Sequence, residues 1–375
     1  MAFRPHVHNR NNITKGFVDR LGHGAGTEHK HGSKGNGMEQ AYMTETGNGG
    51  SEPGHSGSRL RRPGGPRRDV GIWRRGIVIA TVAVALSLVM TFHADLPNDV
   101  GNLGSLTETF LPWLGLLIPV LTVAAVIRKS ATALTAILLP VVTWVNLFGS
   151  LATDKSGPGG NLMVVTHNVG AANTDPRGTA RSIAKASADV LVLTELAVPD
   201  YEETLADTYQ YSAVEGTVGV WSKYPLSSSQ PVDIKMGWTR AMRTTVDTPQ
   251  GQVAVYVAHL PSVRVKLNAG FTANQRDNSA RALGAALAGE SLTNVLLLGD
   301  LNGTMNDRSL SKVTRNMRSA QGAAGDGFGF SWPARFPMAR IDQIMVRGMK
   351  PEASWTLPRT GSDHVPVAAR VTVKQ

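Results

Sequence analysis

A chain of 375 residues with 42% hydrophobic residues has room for one large domain with additions, or for two ordinary domains. It contains no cysteine, which excludes disulfides, thiolate metal sites and a cysteine nucleophile, and which fits either side of a membrane. The formal net charge of +10 is unevenly spread, because many of the basic residues sit in one short run near the N-terminus.

Residues 1–75 hold almost no apolar periodicity and are crowded with Gly, Asn, Ser and His, as in His29-Lys30-His31-Gly32 and Gly47-Asn48-Gly49-Gly50. So few aliphatic side chains cannot offset chain entropy, and a disordered basic tail is expected. Its irregularly spaced histidines read as part of a solvated tail rather than a metal site. The tail ends in Arg59, Arg61, Arg62, Arg67, Arg68, Arg74 and Arg75, directly before an apolar run. That position suits a lipid-facing cytoplasmic flank, with a nucleic-acid arm as the alternative.

Three apolar stretches follow, near Ile77 to Phe92, Phe110 to Ile127 and Ala131 to Phe148. Each approaches the roughly 20 residues needed to cross a bilayer as helix, so residues 76–150 predict three transmembrane helices. A signal peptide is disfavoured for the first, since a long tail precedes it and no Ala-x-Ala site follows. Arg128 and Lys129 separate the second and third stretches, whereas the loop after the first carries Asp95, Asp99 and Glu108 and no Lys or Arg. The basic ends belong in the cytoplasm, which places the N-terminus inside and everything after about residue 150 outside. Trp73, Trp113 and Trp144 are candidates for interfacial rings, although the last two could equally pack between helices.

Residues 151–160 form a Gly- and Pro-containing linker. Residues 161–375 alternate strand-like and helical segments. Strands are expected at Leu162–Thr166, Asp189–Leu193, Val218–Ser222, Met242–Val246, Val253–His259, Leu296–Asp300, Ile341–Val346 and Val367–Val373. Helices are expected at Thr179–Ala188, Tyr201–Tyr209, Asn274–Leu287 and near Leu310–Met317. Strands outnumber helices and hairpins mix with crossovers, which predicts one α/β domain of two packed sheets with helices outside.

Strand after strand in this region ends on a polar residue of catalytic type. Val164-Val165-Thr166-His167 ends on Asn168, Val190 to Thr194 on Glu195, and Val253 to Ala258 on His259. Leu296-Leu297-Leu298-Gly299 delivers Asp300 and Asn302, which could handle a metal, a phosphoryl oxygen or a nucleophilic water. Their spacing puts both on one side if the strand direction persists, and the flanking glycines leave room for a substrate to approach the backbone. Arg340-Ile341-Asp342 sets an acid in an apolar strand, and Ser362-Asp363-His364 precedes the last one. Each alone could be a cap, a turn or a core histidine; together they point to a site at the strand termini.

The ordered set Thr-His-Asn, Leu-Thr-Glu-Leu, Val-Ala-His-Leu, Gly-Asp-Leu-Asn, Arg-Ile-Asp-Gln-Ile and Ser-Asp-His-Val-Pro-Val, spanning residues 161–370, resembles the endonuclease/exonuclease/phosphatase superfamily related to DNase I and the neutral sphingomyelinases. The resemblance implies a four-layer α/β sandwich. A second likeness lies in Leu96-Pro97, Gly101 to Leu106 and Glu108 to Gly115, which resemble actinobacterial teicoplanin-resistance membrane proteins of the VanJ type, where three spans join the same catalytic domain.

The first resemblance implies a metal held by Glu195, Asn168 and Asp363; carboxylates, an amide and water suit Mg²⁺ or Mn²⁺ rather than zinc. It implies His364 as general base or phosphate contact, oriented by Asp342, with Asp300 orienting the attacking water and Asn302 holding a phosphate oxygen. His259 would bind phosphate or protonate the leaving group. Arg276 either reaches the phosphate or forms a surface salt bridge. Two departures stand out. DNase-like members pair the histidine matching His259 with a glutamate, and here the counterpart stretch reads Arg240, Ala241, Met242 and Arg243, so His259 is expected to be neutral or used only for phosphate. The domain, at about 215 residues, also leaves little length for DNA-gripping loops.

These features predict a membrane-integral, outward-facing hydrolase of a lipid-linked phosphate or pyrophosphate; the VanJ-type likeness implies an undecaprenyl pyrophosphate-like carrier and a role in glycopeptide tolerance. Alternatives are an extracytoplasmic nuclease using Arg264, Lys266, Arg308, Lys312, Arg315 and Arg318 to track phosphates, a sphingomyelinase-like activity, and a non-catalytic tethered binding domain. The sequence carries no signal for oligomeric state.

Overall fold

The computed structural model describes residues 71, 74–99, 101–197, 199–266 and 270–374. The expected disordered tail, Trp73 and the arginines before Arg74 lie outside them. The chain divides into Met1–Gly65, outside the described residues, and Pro66–Gln375, to which everything below belongs.

Helices come first: α1 (Ile77–Thr91), α2 (Leu103–Thr109), α3 (Leu117–Ile127) and α4 (Ala131–Phe148). Ser130 caps α4 by accepting from the Ala133 N–H at 3.2 Å. With the turn that follows it, Ala131–Leu151 is long and apolar enough to cross a membrane. The expected second span, Phe110 to Ile127, corresponds to Leu111–Ile127, which passes the same test only when joined to Leu103–Thr109 across a 74° bend. Pro112 lies at that break, where its missing N–H costs no helix bond. The expected first span is only 15 residues long, about 22 Å of helix, against a hydrocarbon core of about 30 Å. Three expected spans thus reduce, among the described residues, to one helix of sufficient length, or two with the bent pair. Ala83, Ala125, Ala133 and Ile137 pack inward between these helices, while Val120, Val123, Leu138, Val142 and Val145 stay exposed.

The rest of the chain builds two six-stranded sheets. Its elements begin with β1 (Leu162–Asn168), α5 (Pro176–Ala184), β2 (Val190–Thr194), α6 (Asp200–Leu205), β3 (Tyr211–Glu215), β4 (Val218–Ser222) and β5 (Leu226–Pro231). They continue with β6 (Ala241–Thr248), β7 (Gly251–Ala258), the small β8 (Val265–Lys266) and β9 (Gly270–Phe271) pair, α7 (Asn274–Ala288) and β10 (Val295–Asp300). Last come α8 (Ser311–Thr314), β11 (Arg318–Ser319), α9 (Ala320–Ala324), β12 (Asp342–Arg347), β13 (Lys350–Thr356) and β14 (Val367–Thr372).

One sheet runs β13-β14-β1-β2-β4-β3 and the other β11-β12-β10-β7-β6-β5. Val164, Val192, Val255, Leu298, Ile344 and Ala369 meet between them in the central core. On the far side of the first sheet, Ile183 of α5 and Tyr201 and Leu205 of α6 cover Leu191 and Trp221. On the far side of the second, Leu283 and Leu287 of α7 cover Leu297 and Met345. Each inner strand is thus buried on both faces, which is why β2 and β10 read as unbroken apolar runs rather than as alternation. The result is a mixed α/β arrangement of two facing sheets with helices outside. β3, β5 and β13 were not expected: β3 and β13 are partly exposed edge strands, and β5, also an edge, is a mostly polar Leu-Ser-Ser-Ser-Gln-Pro run.

Candidate active site

In each sheet the two central strands run parallel: β1 with β2, and β7 with β10. Parallel neighbours end at the same edge, so their C-termini deliver Asn168, Glu195, His259 and Asp300 to one rim of the sandwich. The two sheets are joined there by a hydrogen bond, in which Asn168 Nδ2 donates to Asp300 Oδ2 at 3.0 Å. Asn168 Oδ1 in turn accepts from the Gly170 N–H at 3.0 Å. Ser362 Oγ donates to the Asn168 carbonyl at 2.7 Å and accepts from the His364 N–H at 3.0 Å, which pins the Ser-Asp-His turn against β1.

Asp300 is the hub. Its Oδ1 accepts from the Asn302 N–H at 2.9 Å, and its Oδ2 accepts from Asn302 Nδ2 at 3.1 Å as well as from Asn168. Asn302 Nδ2 also donates to the Leu260 carbonyl at 2.9 Å. Both amide hydrogens of Asn302 are therefore committed, and only its oxygen is left to face a ligand. The flanking glycines serve the protein and not a substrate. A Cβ on Gly299, whose φ is +137°, would come 2.0 Å from the Ala258 carbonyl oxygen, and one on Gly303 would come 2.5 Å from Arg276 Nη1. The expectation of room for substrate at these glycines is corrected accordingly: strand β7 and the Arg276 side chain occupy that space.

His364 sits between two carboxylates, with Nδ1 at 2.8 Å from Asp342 Oδ2 and Nε2 at 3.8 Å from Asp300 Oδ2. Burial opposes its charge, but Asp342 and Asp300 outweigh burial and push the imidazole up to about 10. Burial pushes Asp300 up to about 7, with Asp342 adding to the rise and His364 opposing it. A ring raised this far is cationic at neutral pH, which favours the phosphate-contact expectation for His364 over the general-base one. Asp300, Asp342 and His364 also lie within reach of a common ion. The imidazole is hydrogen-bonded to Asp342 and stands 3.8 Å from Asp300, and we read the trio as an ion-paired cluster whose Nε2 still faces the cavity.

His259 has the opposite partner. Arg240 Nη2 lies 2.6 Å from His259 Nδ1 and 2.5 Å from Nε2. Burial, the Arg240 charge and His364 all hold this imidazole well below its usual range. A guanidinium only donates, so the ring must be neutral to accept from it.

Glu195 turns out of β2 with φ +63°, a left-handed conformation that costs a non-glycine residue about 1 kcal/mol or more. The Leu196 N–H donating to the Thr217 carbonyl at 3.0 Å fixes this turn. Among the described residues neither the Glu195 nor the Asp363 carboxylate has a hydrogen-bond or ion-pair partner, and both line the cavity and its adjoining recess around Gly170. Two unpartnered carboxylates beside the Asn168 carboxamide form an oxygen-only donor set, which fits a hard divalent cation.

These groups surround a cavity of about 470 Å³. It gathers Asn168, Glu195, His259, Asp300, Asn302, Asp363 and His364, with Asp342 directly behind His364. Arg276 does not reach it. That side chain is fully buried on α7, where Nε meets Asp277 at 2.7 Å, Nη2 meets Asp307 at 2.7 Å and Nη1 donates to the Asn302 carbonyl at 2.7 Å. It braces the Asp300–Asn302 turn from behind, and is neither a phosphate contact nor a surface salt bridge. Arg308, one of the cations expected to track nucleic acid, is bound to Glu108 instead. The cavity also has walls that the strand-end pattern did not reveal: Thr109 and Phe110 at the end of α2, Trp332, and Arg264. The signal for the first two was the Glu108-to-Gly115 stretch, read above as loop, span start and membrane-protein likeness and not as part of the site.

A model of the endonuclease/exonuclease/phosphatase family matches residues 165–364. None of the curated proteins compared matches the chain. Among solved structures, the chain is similar to a conserved protein of unknown function from Enterococcus faecalis, with 15% identity, 57% of this chain and 100% of that one covered, and a TM-score of 0.48. It is similar to D. rerio TDP2 complexed with a single-strand DNA product, with 17% identity, 56% and 98% covered, and a TM-score of 0.48. It is also similar to sphingomyelinase C from Streptomyces griseocarneus, with 21% identity, 56% and 98% covered, and a TM-score of 0.44. With the matched segment running from β1 to the His364 turn and enclosing every residue of this candidate cluster, the chain belongs to the endonuclease/exonuclease/phosphatase family, the divalent-metal-dependent hydrolases of phosphoric ester bonds.

Proposed function

We propose that the protein is a membrane-anchored, outward-facing hydrolase of a lipid-linked phosphate or pyrophosphate. One observation carries the reading: Thr109 and Phe110, at the bend that leads into apolar helix α3, form part of the wall of the cavity that holds Glu195, Asp300 and His364. A water-soluble substrate gives no reason to build the site against such a helix. The basic flank at Arg74 and Arg75 before α1 and Arg128 and Lys129 after α3 supports a topology with the catalytic domain outside. The likeness to VanJ-type proteins supports an undecaprenyl pyrophosphate-like substrate and a role in glycopeptide tolerance. A nuclease would draw on Arg308, and the Glu108 ion pair withdraws that cation.

In this reading Glu195, Asp363 and Asn168 hold Mg²⁺ or Mn²⁺, which when bound offsets negative charge on the phosphoryl and leaving oxygens. Asp300 orients the attacking water and takes its proton, a task suited to a carboxyl raised toward neutrality. Asn302 holds Asp300 in place through its backbone N–H and one amide hydrogen, the other being tied to the Leu260 carbonyl, and its free oxygen can accept from the same water. Protonated His364, positioned by Asp342, donates to a phosphoryl oxygen. Neutral His259 contacts the phosphate. Purified protein with Mg²⁺ should release phosphate from polyprenyl pyrophosphate, and cells lacking it should change in teicoplanin susceptibility; absence of both would overturn the reading.

A further inference from the structure

A second hollow lies next to the cavity along the chain. Two residues beyond Phe110, Pro112 and Trp113 open onto a second groove of about 540 Å³ whose lining is almost wholly apolar. Leu116, Trp144 and Val145 come from the helical side, and Phe328 and Phe330 from the catalytic domain. The aromatic rings are continuous across the junction. Trp113 stacks on Phe330 at 5.8 Å, Phe330 on Phe328 at 5.1 Å, and Phe328 meets Trp144 at 6.3 Å between ring centroids. Both indole N–H groups are satisfied by backbone, Trp113 Nε1 by the Met338 carbonyl at 2.7 Å and Trp144 Nε1 by the Pro112 carbonyl at 2.9 Å. That leaves the groove without a polar group that needs water, and its ring faces free to pack on hydrocarbon.

A polar cavity built for a phosphate and an apolar groove share one stretch of chain, Thr109 to Trp113. Only an amphiphile satisfies both at once. We propose that the groove between α3, α4 and the Phe328–Phe330 loop seats the part of the substrate's hydrocarbon chain nearest its phosphorylated head. This rests on the lipid-phosphate reading above and adds to it a place and a set of residues for the chain. Substrate selection then follows from chain length, because each methylene buried contributes roughly fourfold in affinity.

The test uses the full-length protein in nanodiscs with Mg²⁺ and two soluble probes, farnesyl diphosphate and isopentenyl diphosphate. Wild type should favour the farnesyl probe in kcat/KM by at least about tenfold. Val145→Trp and Leu116→Phe fill the groove from positions that are 54% and 60% exposed, so neither crowds the core. Each should remove most of that preference by lowering farnesyl turnover far more than isopentenyl turnover. With EDTA present, farnesyl diphosphate should still perturb tryptophan fluorescence in wild type and do so more weakly in the variants. If wild type hydrolyses both probes without preference, if the variants keep the preference, or if they lose both activities equally, the groove is not the chain's seat, although the lipid-phosphate reading stands. If neither diphosphate is hydrolysed while plasmid DNA is cut, both readings fall.

Discussion

Glu108 is completely buried, and Arg308 meets it from the catalytic domain: Arg308 Nε donates to Glu108 Oε1 at 2.8 Å and its own N–H approaches Oε2 at 3.3 Å. Arg308 Nη2 also donates to the His93 carbonyl at 3.0 Å, and Thr304 Oγ1 to the Glu108 carbonyl at 3.2 Å. This knot holds α2 and the cavity wall at Thr109 and Phe110 against the catalytic domain. Arg308→Ala strands a buried carboxylate and should cost about 3 kcal/mol. Thermal unfolding in detergent reads the loss, and a double variant with Glu108→Gln should recover part of it.

Gly299 has no room for a side chain, since a Cβ there would run into the Ala258 carbonyl oxygen. Gly299→Ala must open the β7–β10 pairing or abandon a φ of +137°, and should destabilise by at least about 2 kcal/mol. Its activity should fall with it, because Asp300 is the next residue. Chemical denaturation of the variant beside wild type checks this.

Asp300→Asn should fold and lose turnover by about 1000-fold, since the amide keeps the shape but cannot take a proton. Glu195→Gln should act differently, raising the metal concentration needed for half-maximal activity. EDTA should abolish activity in wild type, and Mg²⁺ should restore it. Metal titration of the purified proteins separates the two effects.

Acid stability should depend on Glu290. Burial alone would raise its carboxyl, but Arg243, the Leu292 N–H and Tyr256 hold it down at about 2. A depressed carboxyl stabilises the fold above its unfolded value of 4.5 and loses that contribution as pH falls through about 2. Glu290→Gln should therefore cost about 2 kcal/mol at neutral pH. The gap from wild type should close as the pH of the denaturation experiment is lowered through this window.

The inner strands were readable because burial on both faces leaves unbroken apolar runs such as Val190 to Leu193 and Leu296 to Leu298. Their polar ends were readable for the same reason, since Asn168, Glu195 and Asp300 interrupt those runs abruptly. Edge strand β5 was not, because Ser227, Ser228 and Ser229 make an exposed strand look like a loop. Helix α5 begins earlier than its apolar spacing suggested, where Asp175 accepts from the Gly178 N–H ahead of Pro176 at the first helical position. Long-range pairings are the part no local pattern encodes. Arg276 bracing Asn302, Arg240 neutralising His259 and Phe110 entering the cavity each join segments far apart in the chain. Hydropathy likewise does not register the 74° bend that separates Leu103–Thr109 from Leu111–Ile127.

The central claim is that the cavity beside α2 and α3 hydrolyses a phosphate carried on a lipid. The most direct measurement offers reconstituted full-length protein polyprenyl pyrophosphate, sphingomyelin and plasmid DNA side by side, each with Mg²⁺ and with EDTA. The account predicts metal-dependent phosphate release from the polyprenyl substrate, lost in Asp300→Asn, with the plasmid left intact. Efficient plasmid cleavage together with an untouched polyprenyl substrate would contradict it.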